Sequence, residues 1–192
     1  MRTNLSRIYD SGRGKIPQMN GLIQSKKHLE KIEKERVEQR KIDEKFMRVA
    51  LKQARLAFNA GEIPVGAVIV KDGEIIAKAQ NKKERKDCAV YHAEVEAIIK
   101  ASKKLGWRLD GCTLYVNLEP CAMCAGTIVS ARIKRVVFGM HEPKSGAFES
   151  NENLFKNSGL NHKTECESGI LQEECKKIWE EFFAARPPKP KK

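Results

Sequence analysis

Residues 113–126 read Thr-Leu-Tyr-Val-Asn-Leu-Glu-Pro-Cys-Ala-Met-Cys-Ala-Gly, and the rest of the chain has to be arranged around this stretch. Its first four residues are mostly apolar and predict a buried strand. The cysteines that follow, Cys121 and Cys124, lie at the start of a predicted helix that continues through Arg132. Residues three apart on a helix share a face, and a helix N-terminus favours thiolates, so both sulfurs can bind one metal ion.

A histidine and a glutamate upstream complete the candidate metal site. His92 and Glu94 fall in the first turn of a second predicted helix. A neutral His92 imidazole supplies a third zinc ligand and leaves the fourth tetrahedral position to water, as in catalytic zinc sites. Glu94 is not needed as a ligand, so it can take the proton of that water and deliver it to a substrate nitrogen. We therefore predict one Zn²⁺ per subunit, held by His92, Cys121 and Cys124, with Glu94 as the catalytic residue.

Each of these residue types also has an ordinary structural role. His92 and Glu94 are compatible with a plain helix, and Cys121 and Cys124 with small core residues. A C-x-x-C pair alone also occurs in structural zinc sites and in redox dithiols. The combination H-x-E followed by P-C-x-x-C is the signature of zinc-dependent nucleobase deaminases, and it favours the catalytic interpretation.

Apolar periodicity predicts the remaining elements of the domain. Predicted strands cover about 65–70, 75–79, 113–116 and 133–138, and predicted helices cover 42–57, 92–105, the segment up to 132 and 172–185. The first two strands form a hairpin through the turn Lys71-Asp72-Gly73-Glu74. The aromatic side chains of the last helix are expected to pack in the core. Because strands and helices largely alternate, we predict an α/β domain with three α/β/α layers and a mixed sheet.

Several segments of the chain match one known family. They are 61–70, which reads Gly-Glu-Ile-Pro-Val-Gly-Ala-Val-Ile-Val, and 91–94, 113–126, 135–139, 144–147, 159–162 and 181–183. Through them the chain resembles the bacterial-type tRNA-specific adenosine deaminases of the cytidine/deoxycytidylate deaminase superfamily, over about residues 44–186. The resemblance implies a cytidine-deaminase-like fold with a mixed five-stranded sheet, and a homodimer with active sites near the subunit interface. It also implies that adenosine is converted to inosine at the first anticodon position of a tRNA, whose anticodon stem-loop presents the base to the pocket.

The resemblance carries substrate-binding roles to four more residues. Asn81 is implied near the base and sugar of the bound nucleotide, although a turn asparagine is an ordinary alternative. Glu142 follows the fourth strand where the family usually has an aspartate, and it is implied to contact nucleotides flanking the target; Lys144 and Phe183 are further candidates. Just before the histidine the family usually has Asp-Pro-Thr-Ala, whereas residues 88–91 here read Cys-Ala-Val-Tyr, so that wall of the pocket differs in bulk.

Charge and hydrophobicity restrict the class of protein and its partners. The 192 residues include 37 Lys and Arg against 25 Asp and Glu, which gives a formal net charge of +12. A polyanion partner is expected, and nucleic acid fits best, although many soluble enzymes are also basic. Hydrophobic residues make up 41% of the chain, and no apolar run is long enough to span a membrane. We predict one compact domain plus extensions, and no membrane partner.

The deaminase domain is predicted to cover residues 42–186. A polar extension, 1–41, is expected to be disordered or partly helical, and a Pro/Lys-rich tail covers 187–192. Charges of both signs alternate from Lys26 to Lys45, which is typical of a solvated helix; a basic RNA-binding arm is the alternative. The six cysteines show no disulfide spacing and indicate a reducing compartment, the cytoplasm. The basic N-terminus keeps an organelle transit peptide as an alternative.

Two rival functions share the same zinc residues. A free-base, nucleoside or nucleotide deaminase of guanine or cytosine type would use them in the same way. The form of residues 117–126, the basic charge and the C-terminal helix favour a tRNA substrate over that alternative. A non-enzymatic subunit that binds RNA and keeps zinc only for folding would be expected to lack the glutamate, and Glu94 is present.

Overall fold

The computed structural model describes residues 18–151 and 160–185, with side-chain surroundings from residue 27 onward. Residues 1–17 of the predicted extension and the predicted Pro/Lys tail lie outside the described residues. Contacts divide the chain into two units, 1–39 and 40–192. The predicted domain limits, 42 and 186, stay a prediction.

A mixed five-stranded sheet forms the centre of the second unit. Its strands are β1 (Gly66–Lys71), β2 (Glu74–Gln80), β3 (Thr113–Leu118), β4 (Arg135–Met140) and β5 (Glu165–Glu167), in the order β2-β1-β3-β4-β5. Strand β1 runs antiparallel to β2 and β3, whereas β3, β4 and β5 run parallel. The predicted mixed sheet and its hairpin are confirmed. The edge strand β5 was not located by periodicity, because its three residues are all exposed and carry no apolar pattern.

Four helices are found in the described residues. They are α1 (Gln18–Asn59), α2 (Ala93–Leu105), α3 (Ala122–Ser130) and α4 (Gln172–Ala185). The bounds of α4 agree with those predicted. Helix α1 begins well before the apolar periodicity does, and its side chains from residue 27 to residue 42 are all exposed. Pairs such as Lys31–Glu35 lie four residues apart along it, the spacing that supports a helix in water.

The two faces of the sheet bury different helices. Ala67 and Ile69 of β1 face a cluster that contains apolar residues of α2 and α3. Val68 and Val70, the alternate residues, face a cluster formed with Phe46 of α1 and with α4. Successive side chains of a strand point to opposite faces, so this division gives the three predicted α/β/α layers.

Lysine side chains cover part of the exposed edge of the sheet. Strand β2 has no neighbour on its outer side in the described part of the chain. Lys100 Nζ of α2 donates to the Lys78 carbonyl at 2.9 Å, and Lys104 Nζ donates to the Ile76 carbonyl at 2.5 Å. Carbonyl groups that a further strand would use are thereby bonded to charged side chains.

A buried ion pair joins α1 to the sheet. Asp43 is 2% exposed, and its two oxygens accept hydrogen bonds from Arg135 of β4 at 2.7 and 2.8 Å. The Tyr115 hydroxyl donates to the same carboxylate at 3.0 Å. Burial and the neighbouring Asp43 charge raise the pKa of Tyr115, so the hydroxyl stays a donor. One carboxylate therefore satisfies two buried groups from two strands.

We expect Asp43→Ala to lower the free energy of unfolding by about 3–5 kcal/mol, because it removes both short carboxylate bonds of the largely buried Arg135 guanidinium and leaves it the more distant Glu167, at 4.0 Å. Denaturant unfolding followed by circular dichroism measures the loss. The control is Glu174→Ala, which removes an exposed partner of Arg48 and is expected to cost about 1 kcal/mol or less. Equal losses for the two variants would contradict the assignment of Asp43 as an anchor.

Candidate active site

Three metal-binding side chains meet where two helices begin. His92 is the N-cap of α2, and Cys121 is the N-cap of α3, with Cys124 in the first turn of that helix. The ligand atoms of the three residues all lie within 4.8 Å of one another. His92 Nδ1 is 3.7 Å from Cys121 Sγ and 3.5 Å from Cys124 Sγ. The structure therefore brings together the predicted ligands, with His92 and Cys121 as cap residues one position outside their helices.

Hydrogen bonds among these side chains shift their pKa values. The Cys124 thiol donates to Cys121, and this bond, with help from His92 and against the effect of burial, holds the pKa of Cys121 at about 4. The bond to Cys121 also raises the pKa of His92 and that of Cys124, which burial raises further. These hydrogen bonds place protons between the metal-binding atoms. A divalent ion replaces such protons on binding, because thiolate and neutral imidazole are the forms that bind metals.

Glu94 is buried beside this cluster without a full set of hydrogen bonds. It is 4% exposed, and its Oε2 is the single buried side-chain N or O atom that lacks a hydrogen-bond partner in residues 27–151 and 160–185. Burial raises the pKa of its carboxyl. A buried polar atom without a partner costs free energy, so this atom is expected to bond to a water or substrate that enters the site.

This arrangement fits a catalytic zinc better than a structural one. A closed structural zinc site needs four protein ligands, and the cluster contains three metal-binding side chains among the described residues. The orphaned oxygen of Glu94 supplies an acceptor for a group that is not part of the polypeptide. Two thiolates and an imidazole are ligands that zinc prefers.

A cavity of about 240 Å³ opens onto these residues. It is lined by Ile63, Val65, Asn81, Lys83, His92, Glu94, Leu118, Glu119, Cys121, Glu142, Ser145 and Trp179. Asn81 and Glu142 thus line the cavity, and their substrate-binding roles stay predictions. Lys144 and Phe183 do not line it, and their substrate-binding roles stay predictions. Trp179 was expected to pack in the core, yet it contributes to this wall and contacts Phe183 in a tilted arrangement at a centroid distance of 4.9 Å.

Sequence reasoning missed two buried glutamates beside the cavity, Glu62 and Glu119. Glu62 accepts a bond from the Asn81 side-chain amide at 3.2 Å. It also accepts the backbone N–H groups of Glu84 and Arg85 at 3.1 and 2.7 Å, so it fixes both Asn81 and the segment after it. The sequence contains a signal for both, because each glutamate lies beside an apolar residue and one or two positions before a proline. A glutamate in such an apolar segment can be buried, and buried glutamates almost always have hydrogen-bond or charge partners.

Comparison with known proteins identifies relatives of the whole domain. Residues 42–186 match the family model described as MafB19-like deaminase. The chain is 48% identical over 142 residues to the tRNA-specific adenosine deaminase of Bacillus subtilis (strain 168), which covers 73% of this chain and 88% of that protein. It is 45% identical over 141 residues to the tRNA-specific adenosine deaminase of Aquifex aeolicus (strain VF5), which covers 73% and 93%.

Solved structures share the fold. One, from a study of A-to-I editing by tRNA:A34 deaminases at the wobble position of transfer RNA, superposes with a TM-score of 0.68 at 42% identity. It covers 69% of this chain and 97% of its own. A guanine deaminase from Nitrosomonas europaea superposes with a TM-score of 0.63 at 24% identity, over 72% of this chain and 83% of its own. At that identity the second likeness concerns the fold alone.

Proposed function

This chain belongs to the MafB19-like deaminases and to the tRNA-specific adenosine deaminases, and from that premise we propose that it hydrolyses adenosine to inosine at the wobble position of tRNA. The observation that supports the chemistry best is the buried carboxylate of Glu94, whose Oε2 has no hydrogen-bond partner, beside three metal-binding side chains and an open cavity. Sequence identity of 48% with a tRNA-specific enzyme supports the substrate.

His92, Cys121 and Cys124 would hold one Zn²⁺ per subunit. When bound, zinc lowers the pKa of a coordinated water towards neutrality and so supplies a nucleophile at physiological pH. The polypeptide contributes the position of the three ligands at two helix N-termini, where the backbone dipoles stabilise thiolates. It also excludes bulk water, since Cys124 and Glu94 are both buried.

Glu94 moves the protons of the reaction. Burial raises the pKa of the Glu94 carboxyl towards physiological pH. A group whose pKa lies near the working pH can both accept and donate a proton efficiently. Glu94 accepts a proton of the attacking water and delivers it to a ring nitrogen of the adenine. It then transfers the second water proton to the departing amino group, so that one water is consumed and one ammonia is released.

The remaining cavity residues would bind the extruded nucleotide. Asn81, held by Glu62, presents its amide to the base or sugar, and Glu142 contacts nucleotides next to the target. Lys144 and Phe183 would contact RNA outside the cavity, since both are exposed. The tRNA anticodon stem-loop is the proposed partner, because an adenosine in a single-stranded loop is cheap to extrude.

A homodimer in the cytoplasm is the proposed state of the enzyme. Large apolar side chains on or beside α2, namely Val90, Ile99 and Trp107, are exposed, and a second copy could bury them. The six cysteines are all free, as in a reducing compartment. In the described residues, no helix combines the length and apolar character needed to cross a membrane. Light scattering of the purified protein tests the dimer.

The deciding experiment incubates purified, zinc-loaded protein with a transcript of an arginine tRNA that carries adenosine at the first anticodon position. Sequencing detects inosine, and we expect conversion confined to that base. Release of ammonia from free guanine, cytosine or a nucleoside, without conversion of the tRNA, would instead support the small-molecule alternative. Binding that weakens steeply with salt would indicate phosphate contacts and distinguishes the two in the same preparation.

Deletion of residues 1–39 should leave deamination of an anticodon hairpin unchanged. The described side chains of this unit are exposed, and its acids and bases pair with one another, as in Lys31–Glu35 and Glu33–Arg36. Single-turnover rates and hairpin affinity measure the effect. If affinity falls by about tenfold or more, which corresponds to about 1.4 kcal/mol, the segment is an RNA-binding arm and the prediction is wrong.

A further inference from the structure

One buried carboxylate accepts hydrogen bonds from both ends of the segment that follows β4. Glu119 stands between β3 and the metal-binding turn, and its side chain is fully buried. Its Oε1 accepts the backbone N–H groups of Phe148, Glu149 and Ser150 at 3.1, 2.7 and 3.0 Å. Its Oε2 accepts the backbone N–H of Glu142 at 3.1 Å and the Ser150 hydroxyl. Both ends of the segment 142–150 thus bond to one side chain.

The segment also packs closely against this carboxylate. A Cβ at Gly146, in the middle of the segment, would overlap both carboxylate oxygens of Glu119. The Ala147 N–H donates to the Pro120 carbonyl at 3.0 Å, and Gly146 forms a backbone bridge with Cys121. The carboxylate is therefore held by its hydrogen-bond donors and enclosed by the segment itself.

The segment that Glu119 holds carries part of the cavity wall. Glu142 and Ser145 both line the cavity, and Glu142 is bonded to Glu119 through its own backbone N–H. By contrast, His92 and Glu94 are held by α2, which makes no hydrogen bond with this segment among those described. Disturbing Glu119 should therefore move one wall and leave the proton-transferring residue in place.

We propose that Glu119 is a positioning residue that fixes the wall formed by Glu142 and Ser145, and so determines how strictly the enzyme discriminates the nucleotides that flank the target adenosine. The inference rests on the proposed function, because flanking nucleotides exist only in an RNA substrate. A segment held by four backbone N–H bonds and one hydroxyl bond keeps its contacts at fixed distances, and loss of that rigidity lowers discrimination before it lowers the intrinsic rate.

The first test is Glu119→Gln, which keeps the size of the side chain but replaces an acceptor oxygen with an amide that cannot accept N–H bonds. Hairpins with each nucleotide at the two flanking positions give kcat and KM. We expect KM to rise by about tenfold and kcat to change by about threefold or less. The ratio of kcat/KM between the best and the worst flanking nucleotide should shrink to about threefold. Zinc content should stay at one per subunit; loss of zinc would mean that Glu119 acts through Cys121, and would overturn the proposal.

Glu62→Gln is the matched control, because it makes the same change in a buried glutamate beside the same cavity. It should raise KM through Asn81 and the segment 84–85, while the preference among flanking nucleotides stays at the wild-type value. If both variants lose that preference equally, Glu119 has no special relation to the flanking positions and the proposal fails.

A double-mutant cycle keeps the proposal testable even if Glu119→Gln folds poorly. Gly146→Ala should mimic the loss, because its methyl group displaces the carboxylate while all bonding groups remain. In a protein that already carries Glu119→Ala, the same methyl group has room, so adding Gly146→Ala should lower kcat/KM by about twofold or less. If the losses in kcat/KM of the two single variants instead multiply in the double variant, the two residues act independently and the proposal is overturned.

Hydrogen exchange separates this inference from the proposed function. The amides of segment 142–150 should exchange faster in Glu119→Gln and in Gly146→Ala than in wild type, whatever the substrate proves to be. Unchanged exchange would overturn the positioning role. Exchange could rise in the variants while the wild-type protein converts no wobble adenosine. The positioning role of Glu119 would then stand, but the proposed function and the role in discriminating flanking nucleotides would both fail, because both require an RNA substrate.

Discussion

Glu94→Gln should lower the rate of deamination by about 10²–10⁴-fold while the protein keeps its zinc. The substitution preserves the shape of the side chain and removes its capacity to accept a proton, which is the role that general acid–base catalysis requires. Zinc binding should persist because Glu94 is not among the three clustered donors. Single-turnover rates on an anticodon hairpin and metal analysis of the same sample measure both quantities.

The same variant should also unfold at a higher temperature than wild type. Burial raises the pKa of the Glu94 carboxyl, so its charged form costs folding free energy. A neutral amide reduces that cost, as happens when active-site strain is relieved. A deamination rate near that of wild type would refute the catalytic role, whatever the thermal stability.

Glu96→Gln is the matched control for this experiment. Glu96 lies two residues further along α2, does not line the cavity, and pairs with Lys82 at 2.8 Å. The same chemical change there should leave the rate within about threefold of wild type, since no reacting group is removed. A large loss in the control would indicate that α2 itself had been disturbed.

Cys121→Ser should weaken zinc binding and remove most of the stability that zinc confers. A hydroxyl is a poor ligand for zinc beside a thiolate and an imidazole, so affinity should fall by more than about 100-fold. Zinc present at about 1,000 times the wild-type Kd stabilises the fold by about 4 kcal/mol, and at the same zinc concentration a 100-fold weaker site would keep about 1.4 kcal/mol of this increment or less. Thermal unfolding with and without added zinc, together with metal analysis, measures the effect.

Cys88→Ser serves as the control for the metal experiment. Cys88 is four residues before His92 in sequence, but it is not part of the metal-donor cluster found among the described residues. This variant should bind one zinc per subunit and show the wild-type response to added zinc. A wild-type response to added zinc in Cys121→Ser, or loss of zinc in Cys88→Ser, would refute the ligand assignment.

Local patterns in the sequence predicted the parts of the fold that depend on local structure. Strands β1 to β4 and helix α4 follow from apolar periodicity, since burial on a fixed face imposes that periodicity. The cluster of His92, Cys121 and Cys124 followed from motif spacing, because each ligand stands at a helix start that the sequence also marks. Strand β5 has three exposed residues, so no burial pattern could reveal it.

Contacts between distant segments were the part that local patterns could not predict. The acceptor oxygens of Glu119 are 23 to 31 residues away from the groups they bind, and Asp43 is 92 residues away from Arg135. Trp179 was expected in the core because aromatic residues usually lie there, but its position on α4 places it at the cavity wall. Such placements depend on how elements pack, which periodicity does not report.

The lysines that bond the outer carbonyls of β2 bear on the colloidal behaviour of the protein. A bare edge strand is a template on which identical chains can stack, and this danger increases with concentration and during synthesis. Two ammonium groups occupy part of that template, and the opposite edge is a strand of only three residues, two of them glutamates. Chemical acetylation of Lys100 and Lys104 would remove this protection, and turbidity of the concentrated, acetylated protein would show it.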